Sequence, residues 1–347
     1  MSARVVDVVV VGAGFAGLYA LHKFRNQGGL SVRVFFEAAP EVGGTWYFNR
    51  YPGARCDVES VDYSYSFSDE LQQEWTWTEK YATQTEILAY LNWVTDKLDL
   101  RRDITFNTRV TSAVLDEATL RWTVTTDDDR MTTARFVVMA TGALSAAITP
   151  AFDGLDRFAG ETYHTAHWPP HEGVDFTGKR VAVIGTGSSG IQSIPIFAEQ
   201  AEHLYVFQRT PPNYSIPAGN TPPLTAEQVA EVKATYAERR RVSFLSGGGS
   251  PYVGTTTLTF EVSEEERREA FEKRWRLGGV LFFQDVPRSA HRPGRQRRGT
   301  SVLGGEGAGG HRRPGCRRSL DPPTITRSGP SESALTPTTF KRSIGPT

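Results

Sequence analysis

The chain has 347 residues, enough for two domains with separate hydrophobic cores. Its 39 basic and 39 acidic side chains balance, so we expect no bulk electrostatic attraction to nucleic acid or to a membrane surface. Two cysteines, Cys56 and Cys316, argue against a disulfide framework and fit a reducing compartment; no stretch reaches membrane-spanning length, and a cytoplasmic protein is predicted.

The first apolar run, residues 7–11, predicts a buried parallel strand that leads directly into the glycine motif GAGFAG. In such a motif Gly12 permits a tight turn and Gly14 lets the backbone approach a pyrophosphate. Gly17 allows close packing of the following helix, predicted over residues 15–26, whose amino terminus would face the phosphates. This pattern indicates a dinucleotide site.

Glu37 follows a second apolar run, residues 32–36. A carboxylate at this spacing accepts the ribose hydroxyls of a dinucleotide and repels a 2′-phosphate, which predicts FAD or NAD in the first site. The doubled Phe35-Phe36 before it raises the possibility that an extra strand residue misplaces the Glu37 contact.

Residues 41–60 read EVGGTWYFNRYPGARCDVES. Gly43 and Gly44 can bring backbone against a flat or anionic ligand, and Trp46 and Tyr47 offer broad faces to an isoalloxazine ring. The alternative is an aromatic-rich loop packed on a core, but charged residues interleaved with the aromatics favour a ligand-lining segment.

A helix is predicted over residues 85–98 from its apolar spacing. The aspartates at 127–129 are interpreted as a solvated hairpin turn rather than a metal cluster. Four short runs predict a small antiparallel sheet, at residues 104–106, 109–115, 120–126 and 131–139.

The strand and glycine turn repeat at residues 179–190, where the motif is GTGSSG. After the next strand, residues 204–207, Arg209 and Thr210 stand where the first site has Glu37. A guanidinium and a hydroxyl suit a 2′-phosphate, so the second site is predicted to bind NADPH.

Between the two motifs, residues 158–169 read FAGETYHTAHWP, that is Phe-x-Gly-x-x-x-His-x-x-x-Trp-Pro. With a glycine fingerprint on each side, the chain resembles the flavin- and NADPH-dependent Baeyer–Villiger monooxygenases as far as residue 285. The resemblance implies FAD and NADP as cofactors and insertion of one oxygen of O₂ beside a ketone carbonyl, giving an ester or lactone. The active-site arginine that the family carries after this point is not recognisable here, so the activity of this chain is expected to be impaired. Two alternatives stay open: a flavin monooxygenase that oxidises nitrogen or sulfur, or an inactive NADP-binding remnant.

In the resembled family the aspartate of the RYPGARCD segment lies near the place where flavin, nicotinamide and substrate meet, so Asp57 is the predicted catalytic residue. The connector residues Gly160, His164 and Trp168 are expected to couple the two domains, and no metal site is expected. The predicted cofactor-binding residues are Gly12, Gly14, Phe15, Gly17, Glu37, Gly44, Thr45, Trp46, Arg55, Cys56, Asp57, Tyr63, Val110, Gly185, Thr186, Gly187, Ser188, Ser189, Gly190, Arg209 and Thr210.

Two further helices are predicted over residues 225–244 and 263–277, each opening on a capping box. They fit a helical insertion in the NADP domain. The arginine run at 239–241 is expected to be solvated.

After residue 285 the chain becomes rich in Arg, Gly, Pro and Ser and is predicted to be disordered. Such composition also suggests a frameshift near residue 285, which resequencing would test. The predicted fold class is α/β, with two Rossmann-like dinucleotide-binding domains for FAD and NADP, a helical insertion and a disordered carboxyl-terminal tail. The predicted domains are residues 1–145 (FAD), 146–285 (NADP) and 286–347 (tail).

Overall fold

The structure is a computed structural model that describes residues 4–30, 34–169, 173–209, 223–246, 249–251, 262–277 and 324–325. The chain forms two compact units: the first contains residues 1–51 and 84–173, and the second contains residues 52–83 and 174–347. The predicted boundaries at 145 and 285 remain predictions. The observed grouping differs from them because residues 52–83 join the second unit, through contacts with a helix described below.

The first unit is built on a six-stranded sheet of mixed direction, in the order β3-β2-β1-β6-β5-β4. Its parallel half consists of β3, β2, β1 and β6, and β4, β5 and β6 pair antiparallel. The strands are β1 Arg4–Val11, β2 Val34–Phe36, β3 Ile104–Thr105, β4 Val110–Asp116, β5 Arg121–Thr126 and β6 Met131–Met139.

The prediction of a small antiparallel sheet over residues 104–139 is confirmed for β4, β5 and β6 and wrong for β3, and β6 has a parallel partner as well. β3 pairs parallel with β2, and β6 pairs parallel with β1. The physical reason lies in β1, where Val8, Val9 and Val10 are fully buried. A strand buried on both faces needs a neighbour on each edge to satisfy its backbone N–H and C=O groups.

The helices of the first unit are α1 Phe15–His22, which continues as a π-helical turn over Lys23–Gln27, the short α2 Thr45–Phe48 and α4 Gln84–Lys97. The helix predicted over residues 85–98 is confirmed, and its buried face carries Ile87, Tyr90, Leu91 and Val94. Three short 3₁₀ turns cover Arg101–Asp103, Leu155–Arg157 and Thr165–His167.

The doubled phenylalanine does not disturb the first unit. β2 pairs with β1 residue by residue, with Val10 opposite Phe35 and Val11 opposite Phe36, and no bulge interrupts this register. Phe36 joins the buried core of the sheet with Val6, Val9, Val11, Val124 and Ala134. The strand therefore contains no bulge at Phe35-Phe36, and the ribose contact of Glu37 stays a prediction.

The hairpin predicted at residues 127–129 is confirmed between β5 and β6. Asp128 accepts a hydrogen bond from the Thr126 hydroxyl at 2.6 Å, and Asp129 has a positive φ of 61°. Asp128 Oδ1 also accepts from the backbone N–H of Arg130 at 3.4 Å, and such bonds between a side chain and the backbone two residues on are typical of turn aspartates.

The second unit repeats the strand–turn–helix–strand arrangement with β7 Arg180–Ile184, α5 Ser188–Gln200 and β8 His203–Phe207. β7 and β8 are parallel and in register, and β9 Thr324–Ile325 pairs antiparallel with β8. The α/β architecture is confirmed. Apart from β9, residues 286–347 lie outside the described residues, as does the proposed frameshift point at 285.

Three further helices belong to the second unit: α3 Asp69–Glu74, α6 Ala226–Leu245 and α7 Glu264–Leu277. Both predicted capping boxes are confirmed. Thr225 and Gln228 exchange side chain to backbone hydrogen bonds at the start of α6, and Ser263 and Glu266 do so at the start of α7. No helix among the described residues is long and apolar enough to cross a membrane.

The expectation that the arginine run of α6 is solvated is wrong for two of its three members. The Arg239 side chain is 17% exposed and forms ion pairs with Glu59 at 2.7 Å and Asp62 at 2.6 Å. Arg240 donates to the carbonyls of Val61 and Asp62, both at 3.0 Å. These contacts join residues 52–83 to α6.

We expect Arg239→Ala to lower the free energy of unfolding of the second unit by about 3 kcal/mol, because the substitution leaves two poorly exposed carboxylates without their guanidinium. Urea denaturation followed by tryptophan fluorescence measures the loss, since Trp75 and Trp77 line the same cavity as Val232, Lys233 and Tyr236 of α6.

The matched control is Arg241→Ala on the same helix. Arg241 is 60% exposed and, among the described residues, pairs with the exposed Glu238, so its removal should change stability by about 0.5 kcal/mol or less. Equal losses for the two variants would contradict a structural role for the Arg239 cluster.

Candidate functional site

The two glycine motifs adopt the same backbone conformation. Gly12 has φ 103° and Gly185 has φ 107°, a region that side chains other than glycine rarely occupy. Gly14 and Gly187 then serve as N-caps of α1 and α5 in nearly equal extended conformations, with no side-chain capping bond. Each helix thus begins with first-turn N–H groups that no capping side chain covers, an arrangement suited to phosphate.

Close backbone approach explains two of the glycines. A β-carbon on Gly12 would lie 2.5 Å from the Ala140 carbonyl oxygen, just after β6. A β-carbon on Gly190 would lie 2.5 Å from the Gly185 carbonyl oxygen. The first turn therefore packs against a neighbouring strand end, and the second against its own helix.

Glu37 lies behind the first turn and is 4% exposed. Its carboxylate accepts hydrogen bonds from the backbone N–H of Ala13 at 2.5 Å and of Ala39 at 2.8 Å. Each carboxylate oxygen can accept a second bond, so Glu37 can hold the turn and still accept from a ribose. The sequence predicted only the second of these roles.

The corresponding strand end of the second unit carries no carboxylate. Arg209 is exposed two residues beyond β8, and Gln208 donates to the Thr186 hydroxyl of the glycine turn at 3.0 Å. Thr210 lies outside the described residues. The two turns therefore share their geometry and differ in charge at the strand end.

The Gly43-Gly44 pair lies directly against the first turn. The Gly43 N–H donates to the Ala13 carbonyl at 2.9 Å, and a β-carbon on Gly44, at φ 51°, would lie 2.9 Å from the Gly14 α-carbon. Thr45 and Trp46 follow in α2, and the Trp46 side chain is buried. The loop therefore contacts the first glycine turn, and its predicted approach to a ligand stays a prediction.

Arg50 covers one face of the Tyr47 ring. The Arg50 guanidinium lies 4.5 Å from the ring centroid, and the Arg50 Nε also donates to the Tyr47 carbonyl. The interleaved charge that the sequence suggested for ligand binding therefore serves, at this position, to cover an aromatic ring.

Asp57 belongs to the second unit, where α5 holds its carboxylate. Ser188 donates its hydroxyl to Asp57 Oδ2 at 3.0 Å, and Gln192 donates Nε2 to Oδ1 at 2.9 Å. The predicted catalytic residue and the second glycine motif are thus in direct contact. Gln192 is part of this arrangement and was missed by sequence reasoning.

The remaining predicted cofactor residues are distributed over both units. Arg55, Cys56 and Tyr63 lie in the second unit; Phe15 and Val110 lie in the first, where Val110 packs against the sheet core. Arg55 pairs with Glu79 at 3.1 Å. Cys56 is buried, and burial raises the pKa of its thiol to about 12.

The connector forms a local turn in the first unit. His164 Nδ1 accepts from the Ala166 N–H at 3.2 Å, and the Trp168 ring lies 5.4 Å from the Tyr163 ring. Gly160 lies against Phe158, where a β-carbon would be 2.6 Å from the ring. No cluster of three potential metal ligands occurs among the described residues.

Comparison with known proteins assigns the two-turn arrangement to a family. Residues 5–211, more than half of the chain, match the flavin-binding monooxygenase-like family. The chain belongs to that family. The sequence indicated a resemblance to Baeyer–Villiger monooxygenases. The relatives of this chain confirm it.

A Baeyer–Villiger monooxygenase of Pseudooceanicola batsensis is 47% identical over 277 residues, covering 80% of this chain and 50% of the relative. Phenazine N-monooxygenase PhzNO1 of Lysobacter antibioticus is 43% identical over 280 residues, again covering 80% of this chain and 50% of the relative. The structure of oxidized steroid monooxygenase bound to NADP superposes with a TM-score of 0.81 at 66% identity, covering 86% of this chain and 56% of that one. The chain spans about half the length of the curated relatives it matches.

Burial makes Cys56 a sensitive reporter of the loop that carries Asp57. Because the thiol pKa is raised to about 12, the thiolate fraction at pH 8 is very small, and we expect no alkylation of Cys56 in the folded chain. Iodoacetamide labelling of a Cys316→Ser variant, located by mass spectrometry, measures this; addition of urea should restore labelling. Rapid labelling of the folded variant would show that the loop opens.

Proposed function

We propose that the chain holds FAD at the first glycine turn and NADPH at the second, as the nucleotide-binding part of a flavin monooxygenase. The observation that carries the proposal is the pair of turns with matched backbone and opposite strand-end charge. Glu37 follows β2, and Arg209 follows β8. Both turns fit a dinucleotide, because each begins a helix whose N-cap has no side-chain capping bond.

In the first site Gly12 and Gly14 would admit the pyrophosphate of FAD, and Glu37 would accept from its ribose. Gly44, Thr45 and Trp46 are the residues proposed to extend this site along the flavin. FAD, when bound, supplies the redox chemistry and the activation of O₂. The protein residues bind and orient it and hold the turn in place.

In the second site the backbone of residues 185–190 would face the pyrophosphate of NADPH, and Arg209 would pair with the 2′-phosphate. A guanidinium offers two parallel donors to a phosphate, which gives both charge and geometry. Thr210 is proposed as a further donor. The similar structure of steroid monooxygenase was solved with bound NADP, which supports this assignment.

The proposed reaction is the insertion of one oxygen of O₂ beside a ketone carbonyl, with an ester or lactone as product. The similarity to a Baeyer–Villiger monooxygenase supports it. Asp57, held beside the second turn, is the proposed catalytic carboxylate, and Gly160, His164 and Trp168 are proposed to couple the domains.

A cytoplasmic location is part of the proposal and rests on the low cysteine content.

Oxidation at nitrogen is a second candidate, because a phenazine N-monooxygenase is similar over the same length. Product analysis separates the two. A ketone substrate gains one oxygen and becomes an ester or lactone, whereas a nitrogen heteroaromatic such as phenazine gains one oxygen and becomes an N-oxide.

The first test is the visible spectrum of the purified chain after addition of FAD and desalting. We expect a retained flavin band that bleaches on anaerobic addition of NADPH. A band that is retained but does not bleach would support the first site alone. Loss of the band on desalting would contradict FAD binding by this chain.

The second test concerns the 2′-phosphate. Arg209→Ala should weaken NADP⁺ binding by about tenfold to a hundredfold, the equivalent of about 1.5–3 kcal/mol for a hydrogen bond to a charged group, and should leave NAD⁺ affinity unchanged. Isothermal titration calorimetry with both nucleotides measures the change.

The control for this variant is Arg180→Ala, an exposed arginine at the amino-terminal end of β7. This variant also loses one positive charge, but at the end of β7 that lies away from the glycine turn. A similar loss of NADP⁺ affinity in both variants would indicate a general effect of charge and would contradict 2′-phosphate recognition by Arg209.

A further inference from the structure

Two side chains on one face of α5 hold Asp57. Ser188 binds one carboxylate oxygen at 3.0 Å and Gln192 binds the other at 2.9 Å. Residues four apart on a helix lie one above the other on the same face. A carboxylate bound at both oxygens from one helix face is fixed in position and in rotation.

Gln192 also holds the backbone that carries Asp57. Its Nε2 donates to the Arg55 carbonyl at 3.1 Å, and its Oε1 accepts from the Arg55 N–H at 3.4 Å. Gly53, at φ 81°, makes this approach possible, since a β-carbon there would lie 2.2 Å from the Gln192 carbonyl oxygen. The segment before Asp57 therefore lies against α5 at a distance that only glycine permits.

The helix end at Ser188 attracts anions. Gly187 caps α5 without a side-chain hydrogen bond, and the first turn of α5 contains no acidic residue. The helix dipole favours negative charge at this end. Asp57 brings such a charge from a distant part of the chain, to the same helix end that faces the pyrophosphate of NADPH in the proposed function.

We propose that Gln192 is a positioning residue that fixes Asp57 at the amino-terminal end of α5, where its carboxylate weakens the binding of NADP by like-charge repulsion. The inference rests on the proposed NADP site. It makes the affinity for NADP⁺ a measure of where the Asp57 carboxylate lies.

The experiment is a double-mutant cycle on the full chain, with NADP⁺ affinity measured by calorimetry. Asp57→Asn should bind NADP⁺ about threefold to tenfold more tightly, because one like charge near the phosphates is removed while the shape is kept. Gln192→Leu should also tighten binding, by a smaller factor, because the carboxylate is released from the helix end. In the Asp57→Asn background, Gln192→Leu should have no effect.

A purely structural role for Gln192 gives a different result: the same change in affinity in both backgrounds, which would overturn the proposal. Gln200→Leu is the matched control, since Gln200 is exposed at the far end of α5. It should leave the affinity for NADP⁺ unchanged.

Thermal unfolding without nucleotide provides a second cycle, between Asp57→Ala and Gln192→Leu. Non-additive losses in Tm support an interaction in which Gln192 holds Asp57 in position. Additive losses overturn that interaction, whether or not NADP⁺ binds. Absence of NADP⁺ binding by the unmodified chain counts against the proposed function instead, so the two failures are distinguishable.

Discussion

A positive φ angle at the first residue after a parallel strand is the constraint on which both nucleotide turns depend. At Gly12 and Gly185 the chain leaves a parallel strand and must reverse within two residues so that a helix can begin at the same end of the sheet. A residue with a β-carbon is strained in this conformation, and at Gly12 it would also collide with Ala140. The uncapped helix starts, and the placement of the next strand end beside them, follow from this reversal.

The two units stabilise their glycine turns by different means. In the first, the Glu37 carboxylate accepts a hydrogen bond from the Ala13 N–H, so a buried carboxylate is part of the turn itself. In the second, the charge comes from outside, as Asp57 reaches the start of α5 from a separate segment. That segment is held in turn by α6, through the ion pairs of Arg239. The second turn is therefore sensitive to contacts that lie far from it along the chain.

Local patterns in the sequence were sufficient for the longer elements and for the glycine turns, whereas the short helices α2 and α3 were not predicted. Strand, turn and helix follow each other within about 20 residues, so their propensities and spacing identify them without knowledge of the rest of the chain. The capping boxes of α6 and α7 were predictable for the same reason, since each involves residues only three apart.

Pairings between distant segments were not predictable. β6 follows β5 through a hairpin, yet it also pairs with β1, and no local signal indicates this second partner. The arginine run of α6 shows the same limit: consecutive residues on a helix point about 100° apart, so three arginines cannot share one environment. Which of them is buried depends on Glu59 and Asp62. The contact of Gln192 with Asp57 could have been suspected from its position four residues after Ser188, but its partner lies 135 residues away.

The order in which the chain is synthesised gives the Arg239 cluster a further meaning. Glu59 and Asp62 leave the ribosome long before Arg239, which follows them by 180 and 177 residues. Until α6 emerges, two carboxylates that are poorly exposed in the native protein have no guanidinium and stay hydrated. The contacts of Arg239 with Glu59 and Asp62 therefore cannot form until α6 has been synthesised, which is after the last strand of the first sheet, ending at Met139.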